Sequence, residues 1–272
     1  MDIALDQYFD RIGFKGTLHC DLATLTALHS AHVDAIPFEG ADPLLGRPVP
    51  LDLPSLEAKL IIGRRGGYCF EQNTLFKAVL EQIGFKVTGL GARVRWMSPP
   101  DSPLGPREHM LLKVDLAEGT YLADVGFGAC LMDTPLELKS GDEQRTRMGT
   151  FRLTEHEGLY TLAARQPGGW RTMYAFDLQP QLPSDHQLGN WYTSTSPQAP
   201  FVHVLIMERL GADRRHKLIN TRYLIEARDG AIVEERELTT PTTLAAVLDD
   251  VFDVRLPTAM EDLFTRISQP AG

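Results

Sequence analysis

The segment RRGGYCFEQN, residues 64–73, determines how the rest of the chain is interpreted. Gly66 and Gly67 allow a tight loop with a close backbone approach. Cys69 then falls at the start of a predicted helix that has an apolar stripe and ends at Gly84. Unpaired backbone N–H groups and the helix dipole at such a position favour an anion, and the thiolate is the nucleophilic form of cysteine. Cys69 is therefore a candidate nucleophile; the alternative is a small buried residue that closes the junction between loop and helix.

The bulk composition is that of an ordinary globular protein. The chain has 272 residues, of which 43% are hydrophobic and 23% charged, so it can bury a core. Its formal net charge of −9 argues against broad binding to nucleic acid or to an anionic membrane. There is no apolar run of about 18 residues and no signal-peptide pattern at the start. We therefore predict a cytoplasmic protein with neither kind of partner.

The cysteines give no sign of a disulfide framework or of a zinc site. Cys20, Cys69 and Cys130 are odd in number and lack paired spacing. The histidines around Cys20 have a spacing that fits no common metal site. We predict no metal, and we interpret Cys130 as a packing residue.

Hydrophobic periodicity divides the chain into three regions. Residues 1–84 have mainly helical spacing, with Asp21 as the cap of one helix and others starting near Asp52 and Cys69. Residues 85–189 change to the period-two pattern of strands, and residues 190–272 combine strands with two final helices at about 242–253 and 257–267. The predicted strands are 85–94, 109–116, 121–125, 150–153, 159–164, 201–207, 217–227 and 231–237.

A cysteine nucleophile needs a base and a group that orients the base, and His109 and Asp124 are the candidates. Asp124 lies in an apolar strand pattern, where a carboxylate is costly unless it is paired. A hairpin that pairs Leu116 with Gly119 makes His109 and Asp124 diagonal neighbours on one face. A register shifted by one residue separates them onto opposite faces. Taken alone, a histidine at a strand start is more often a satisfied surface or core residue than a catalytic base.

These segments together resemble the arylamine N-acetyltransferase family. The matching pieces appear in family order: IPFE at 36–39, RGGYCFEQN at 65–73, His109, DVGFG at 124–128, and WYTSTSP at 191–197 with Phe201. The chain departs from the family pattern at Gly40-Ala41, where Asn-Leu is usual, and at Ala129-Cys130, where another glycine often follows Gly128. Both departures adjoin expected binding loops.

The resemblance implies a mixed α+β fold. It implies an N-terminal helical bundle over 1–84 that carries the nucleophile, a central antiparallel β-barrel over 85–189 that carries the histidine and aspartate, and a C-terminal α/β lid over 190–272.

The resemblance also implies a Cys69–His109–Asp124 triad that works by a ping-pong mechanism. Acetyl-CoA, a co-substrate and not a permanently bound cofactor, acylates the cysteine, and an arylamine, arylhydrazine or N-hydroxyarylamine collects the acetyl group. The remaining site residues are the acceptor-pocket walls Phe38, Phe127 and Phe201, the structural ion pair Glu39 and Arg65, and the expected cofactor contacts Trp96, Gly126 and Gly128. The segment around Trp96 is interpreted equally well as an ordinary barrel strand.

Two other functions are compatible with the same residues. A cysteine hydrolase or transglutaminase-like enzyme uses this triad on amide substrates. A binding or scaffold protein on a degenerate enzyme fold is the alternative from another class, although the intact cysteine, histidine and aspartate argue against it. Thioester formation from acetyl-CoA on Cys69 distinguishes the first alternative, and the rate of thiol alkylation distinguishes the second.

Overall fold

Helices occupy most of the first part of the chain in the computed structural model, which describes residues 2–99 and 101–268. Asp21 caps the second helix by accepting a 2.8 Å hydrogen bond from the Thr24 N–H, as predicted. Gly84 ends the fifth helix in the left-handed conformation, with φ 111°. The elements are α1 (Leu5–Ile12), α2 (Leu22–Ala35), the short strand β1 (Phe38–Glu39), α3 (Ala41–Leu44), α4 (Leu53–Leu56), a π-helical turn (Glu57–Ile62) and α5 (Cys69–Ile83).

The central part forms an antiparallel sheet that nearly closes into a barrel. Its strands are β2 (Lys86–Val94), β3 (His109–Leu116), β4 (Gly119–Ala123), β5 (Leu136–Glu137), β6 (Glu143–Arg145), β7 (Thr150–His156), β8 (Leu159–Gln166) and β9 (Gly169–Phe176). They are arranged in the order β5-β4-β3-β2-β9-β8-β7-β6. The Gln144 side chain of β6 donates to the Glu137 carbonyl of β5 and accepts from the Glu137 N–H, so it joins the two edge strands.

Alternation along β3 separates two cores. Met110, Leu112 and Val114 belong to the core that β3 shares with α5 and the other N-terminal helices. Leu111 points the other way, into the barrel interior. His109 has the same parity as Leu111, so the sheet carries it on the barrel side.

The last part of the chain is a second antiparallel sheet covered by helices. Its elements are α6 (Pro183–Thr195), a 3₁₀ turn (Pro200–Val202), β10 (Ile206–Leu210), β11 (Arg215–Ile219), β12 (Arg222–Glu226), β13 (Ile232–Glu237), α7 (Pro241–Val247), a π-helical turn (Leu248–Phe252) and α8 (Met260–Ile267). The sheet order is β1-β10-β11-β12-β13, so β1 from the helical part forms its edge. Within the described ranges, no helix has the length and apolar character needed to span a membrane.

Several predicted elements are wrong in this last part. The predicted strand 201–207 begins instead as a 3₁₀ turn at Pro200, and β10 starts only at Ile206. The predicted strand 217–227 is a hairpin, because Asn220 adopts a left-handed conformation with φ 53° and reverses the chain. Helix α6 was not predicted, and it contains residue 189, where the predicted second region ends. In the central part, strand β9 was not predicted either.

Candidate active site

Cys69 is the first residue of α5, as predicted, and only 4% of it is exposed. The loop before it is attached to β1, because the Glu39 N–H donates to the Gly67 carbonyl at 3.0 Å. The Tyr68 N–H donates to Oε2 of Glu71 at 3.1 Å, which satisfies a backbone donor at the helix start. These contacts hold the thiol at the positive end of the helix dipole, where a thiolate is favoured.

The hairpin of β3 and β4 has the predicted register. Leu116 pairs with Gly119 and Leu112 pairs with Ala123, so Asp124 follows directly after the end of β4. Nε2 of His109 lies 2.7 Å from Oδ2 of Asp124. The Cys69 thiol lies close enough to His109 to help raise the pKa of that imidazole, and its Sγ donates to the Glu108 carbonyl at 3.8 Å. Thiol, imidazole and carboxylate are therefore neighbours in that order.

The Asp124 carboxylate is completely buried and fully engaged in hydrogen bonds. Its Oδ1 accepts from Nδ2 of Asn73 and from the Gly126 N–H, each at 3.0 Å. Its Oδ2 accepts from the Tyr174 hydroxyl at 2.9 Å in addition to the His109 contact. Four donors on one carboxylate fix its orientation, and through it they fix the imidazole ring.

Electrostatics favour a charged imidazole at this site. Burial alone would lower the pKa of His109, but the Asp124 carboxylate outweighs burial and raises that pKa to about 10. Burial would likewise raise the pKa of Asp124, but the charge and hydrogen bond of His109 hold it below its usual range. The structure therefore favours imidazolium beside carboxylate, an arrangement that stabilises a neighbouring thiolate.

A cavity of about 360 Å³ opens onto Cys69 and His109. The ring centroids of Phe38 and Phe201 are 5.8 Å apart on one side of it, and Phe127 lies 5.2 Å from the His109 ring. Most of the lining is apolar and aromatic, which suits a flat, weakly basic ligand. The structure brings together at this cavity all of the predicted substrate and cofactor residues, namely Phe38, Trp96, Gly126, Phe127, Gly128 and Phe201.

Two of these positions require glycine because of close packing. A Cβ atom at Gly126 would lie 2.6 Å from Cα of Cys69, and one at Gly128 would lie 2.2 Å from the Phe38 ring. Any side chain there would push Cys69 or Phe38 out of place. The glycines therefore set the distance between the loop after Asp124 and the start of α5.

A buried ionic cluster lies beneath the loop before Cys69, residues 64–68, which we call the active-site loop. Arg65 pairs with Glu39 through two nitrogens, with Nε at 3.1 Å from Oε2, and its Nη2 lies 3.0 Å from Oδ1 of Asp42. Lys59 lies 2.6 Å from Asp42 and 2.6 Å from Glu71, so the cluster continues into α5. The predicted pair of Glu39 and Arg65 is thus two members of a larger cluster. Burial opposes the charge of Arg65, but the two carboxylates outweigh it and raise the pKa of Arg65.

Charged side chains of the second sheet hold the loop after Gly128. The Lys217 ammonium donates to the Ala129 carbonyl at 2.8 Å, and the fully buried Arg215 donates to the Leu131 carbonyl at 2.6 Å. Oε1 of Glu208 accepts from the Leu131 N–H at 2.9 Å. This part of the barrel therefore depends on β10 and β11 for its position. Cys130 lies buried in the same loop, and burial raises the pKa of its thiol, in keeping with a packing residue.

Known proteins with the same arrangement identify the family. A family model described as N-acetyltransferase matches residues 21–260. The arylamine N-acetyltransferase of Mycolicibacterium smegmatis is 44% identical over 234 residues, which is 85% of this chain and 85% of the relative. The chain belongs to the arylamine N-acetyltransferase family. It is therefore an enzyme of acetyl transfer, and the resemblance inferred from its motifs is confirmed.

Two further relatives of this acetyltransferase bear on its substrates and fold. A protein of Salmonella typhimurium named arylamine N-acetyltransferase / N-hydroxyarylamine O-acetyltransferase is 38% identical over 254 residues, covering 91% of this chain and 88% of the relative. The structure of the Mycobacterium marinum arylamine N-acetyltransferase in complex with CoA superimposes with a TM-score of 0.90 at 35% identity, covering 97% of this chain and 99% of that chain. The predicted mixed α+β fold with its barrel is confirmed by this likeness.

Sequence reasoning missed three side chains around Asp124 of this acetyltransferase. Asn73 was part of the quoted motif but was given no role; its position one turn after Cys69 on the same helix face was the available signal. Tyr174 lies on β9, a strand that was not predicted. His29, on α2, accepts a hydrogen bond from the Asp124 N–H at 3.3 Å, and nothing in its local sequence indicates that contact.

The described part of this acetyltransferase contains no group of three or more His, Cys, Asp or Glu side chains that could hold a metal ion. His109, which lines the cavity, is hydrogen-bonded to Asp124.

Proposed function

We propose that this arylamine N-acetyltransferase carries the acetyl group of acetyl-CoA as a thioester on Cys69. It then transfers the group to the nitrogen of an arylamine or arylhydrazine, or to the oxygen of an N-hydroxyarylamine. The observation that supports this most is the connected series of Cys69, His109 and Asp124 at the edge of an aromatic cavity. The names of the Mycolicibacterium and Salmonella relatives support the acceptor classes, and the CoA complex of the Mycobacterium marinum protein supports the donor.

In the first step the Cys69 thiolate attacks the carbonyl carbon of acetyl-CoA. A bond from sulfur to the acetyl carbon forms, and the bond from that carbon to the CoA sulfur breaks. The His109 imidazolium gives its proton to the departing CoA thiolate and becomes neutral. Asp124 keeps the ring oriented throughout, because its oxygens are held by the Asn73 amide and by other donors.

In the second step the acceptor amine attacks the acetyl carbon of the thioester. Neutral His109 takes the proton that the nitrogen loses, and the bond to the Cys69 sulfur breaks to give the amide and the resting ion pair. The cavity of about 360 Å³ is at the small end of the range for ligand sites, which favours successive occupation by the two substrates. We therefore propose ping-pong kinetics.

Each wall of the cavity has a proposed role. Phe38, Phe127 and Phe201 enclose the aromatic ring of the acceptor, because their faces and edges offer the apolar surface that such a ring needs. Trp96 and the backbone at Gly126 and Gly128 contact the donor. Glu39 and Arg65 support the loop before the nucleophile and take no part in the chemistry. A further proposed task of Gly126 is to keep the backbone close to Cys69.

The test is the intact mass of the protein after brief mixing with acetyl-CoA. We expect a gain of one acetyl group, mapped to Cys69, in the parent and in the Cys130→Ala control, and no gain in Cys69→Ser. Adding an arylamine should remove the acetyl group as the amide appears, and initial rates at varied acetyl-CoA should give parallel double-reciprocal lines. Intersecting lines, or an acetyl group on another residue, would contradict the proposal. Rapid loss of the acetyl group to water without an amine would favour the hydrolase alternative.

A further inference from the structure

We infer that Gly40 determines how large an aromatic acceptor the cavity admits, an inference that rests on the proposed function. Gly40 has φ −106°, a conformation that any residue adopts, so its backbone does not call for glycine. Space does. A Cβ atom at this position would lie 2.8 Å from Cδ1 and 3.3 Å from Cε1 of Phe201. Carbon atoms in contact normally lie about 3.5–4.0 Å apart, so a single methyl group already forces a movement.

The backbone at Gly40 cannot supply that movement. Its N–H donates to the Ile206 carbonyl at 3.0 Å, and the preceding Glu39 is paired with Met207 across β1 and β10. The Glu39 N–H is also bonded to Gly67 in the active-site loop. Moving Gly40 away from Phe201 would break hydrogen bonds on two sides, so the ring must yield instead.

Two packed rings restrict where the Phe201 ring can move. Its centroid lies 5.8 Å from the Phe38 ring and 5.6 Å from the Tyr68 ring. Both neighbours are buried and held, since Phe38 rests against Gly128 and the Tyr68 hydroxyl donates to the Asn190 side chain. The side of Phe201 that lacks such packing faces the cavity. A larger residue at position 40 therefore displaces the ring into the space that an acceptor occupies.

The consequence is a preference among acceptors. With glycine at position 40 the Phe201 ring stays withdrawn, and the cavity takes a flat amine of two fused rings. With alanine the ring advances, and a one-ring amine fits better than a two-ring amine. A difference of one methylene in an apolar pocket changes kcat/KM by about 10–200-fold. We expect Gly40→Ala to lower kcat/KM for 2-aminonaphthalene about tenfold relative to its value for aniline.

The experiment compares the parent and four variants with both amines. Gly168→Ala is the matched control, because a Cβ atom there meets nothing within 4 Å and its φ lies outside the left-handed region. It should keep the parent ratio of the two kcat/KM values. Adding Phe201→Leu to Gly40→Ala should restore kcat/KM for the two-ring amine. Phe201→Leu alone should raise kcat/KM for the two-ring amine relative to that for the one-ring amine. The last variant tests whether the Phe201 ring limits the size of the acceptor, and an unchanged ratio in it overturns the inference even if Gly40→Ala fails to fold.

Acetylation of Cys69 is measured by mass in every variant, so the two proposals fail separately. An unchanged ratio in folded Gly40→Ala, with Cys69 still acetylated, overturns the role of Gly40 and leaves the proposed function intact. An equal loss for both amines overturns that role as well. Absence of acetyl-Cys69 in the parent overturns the proposed function, and the inference with it.

Discussion

Substituting Arg65 by glutamine tests the ionic cluster beneath the active-site loop. The Arg65 side chain is 11% exposed, Glu39 is 0% exposed and Asp42 is 6% exposed, so the three charges have little access to water. The substitution leaves Asp42 with Lys59 at 2.6 Å, but it leaves Glu39 with the Gly66 N–H at 3.2 Å as its remaining hydrogen bond. A buried carboxylate then lacks a paired cation.

The expected loss of stability is large for a single substitution. Removing one partner of a buried ion pair costs about 3–5 kcal/mol, because the other charge stays desolvated without compensation. For a protein of this size, a loss of 1 kcal/mol in the free energy of unfolding lowers the melting temperature by about 2–4 °C, so the melting temperature should fall by about 10 °C. The loop that carries Cys69 should loosen as well, since Arg65 and Gly66 are its first attachments to Glu39.

The assay is urea unfolding followed by circular dichroism, with thermal melting alongside. Arg47→Gln is the matched control, because Arg47 also pairs with Asp42, at 3.5 Å, but is 50% exposed. Arg47→Gln should lower the free energy of unfolding by less than about 1 kcal/mol. Glu39→Gln combined with Arg65→Gln should recover part of the loss, because both buried charges are then absent. If Arg65→Gln is within about 0.5 kcal/mol of the parent, the argument from burial is wrong.

Two further predictions concern protonation. Asp124→Asn removes the carboxylate that raises the pKa of His109 to about 10, so transfer should fall by about 10⁴-fold. Iodoacetamide should then alkylate Cys69 more slowly at neutral pH than it does in the parent. Identical alkylation profiles for parent and variant would exclude a resting ion pair. Burial lowers the pKa of His29 to about 4 and of His32 to about 3, both below the ~6.5 of the unfolded chain. The stability linked to these two neutral rings is present above pH 6.5 and is lost as the pH falls, so the free energy of unfolding should drop by about 3 kcal/mol from pH 7 to pH 5; equal urea midpoints would refute this.

Local signals in the sequence were sufficient for the elements that carry Cys69, His109 and Asp124. Asp21 and Gly84 are strong helix boundaries, and both act where the pattern indicates. The β3–β4 hairpin is short, so the sequence left two registers to consider, and the structure has the one with Leu116 opposite Gly119 that brings His109 to Asp124.

Contacts between distant segments could not be predicted in the same way. Lys217 and Ala129 are 88 positions apart, and Arg215 and Leu131 are 84 apart, so no local pattern connects them. The larger ionic cluster could not be predicted either, because the sequence around Lys59 is typical of an exposed helical residue and does not show that α5 packs beside it. Helix α6 lacks a clear apolar stripe and exposes Trp191, which explains why its pattern was not recognised as helical.

Strand β1 has a consequence for the order of events during synthesis. Phe38 and Glu39 leave the ribosome early, but their partners Glu208 and Met207 follow about 170 residues later, which at about 5–20 residues per second is a delay of roughly ten to thirty seconds. In the second half of that interval the nascent chain contains Cys69, His109 and Asp124, while β1 still lacks its partner strand β10. A polypeptide released before β10 is made would therefore carry these three residues together with an unpaired edge strand, and chaperones that cover such edges would be needed most in that interval.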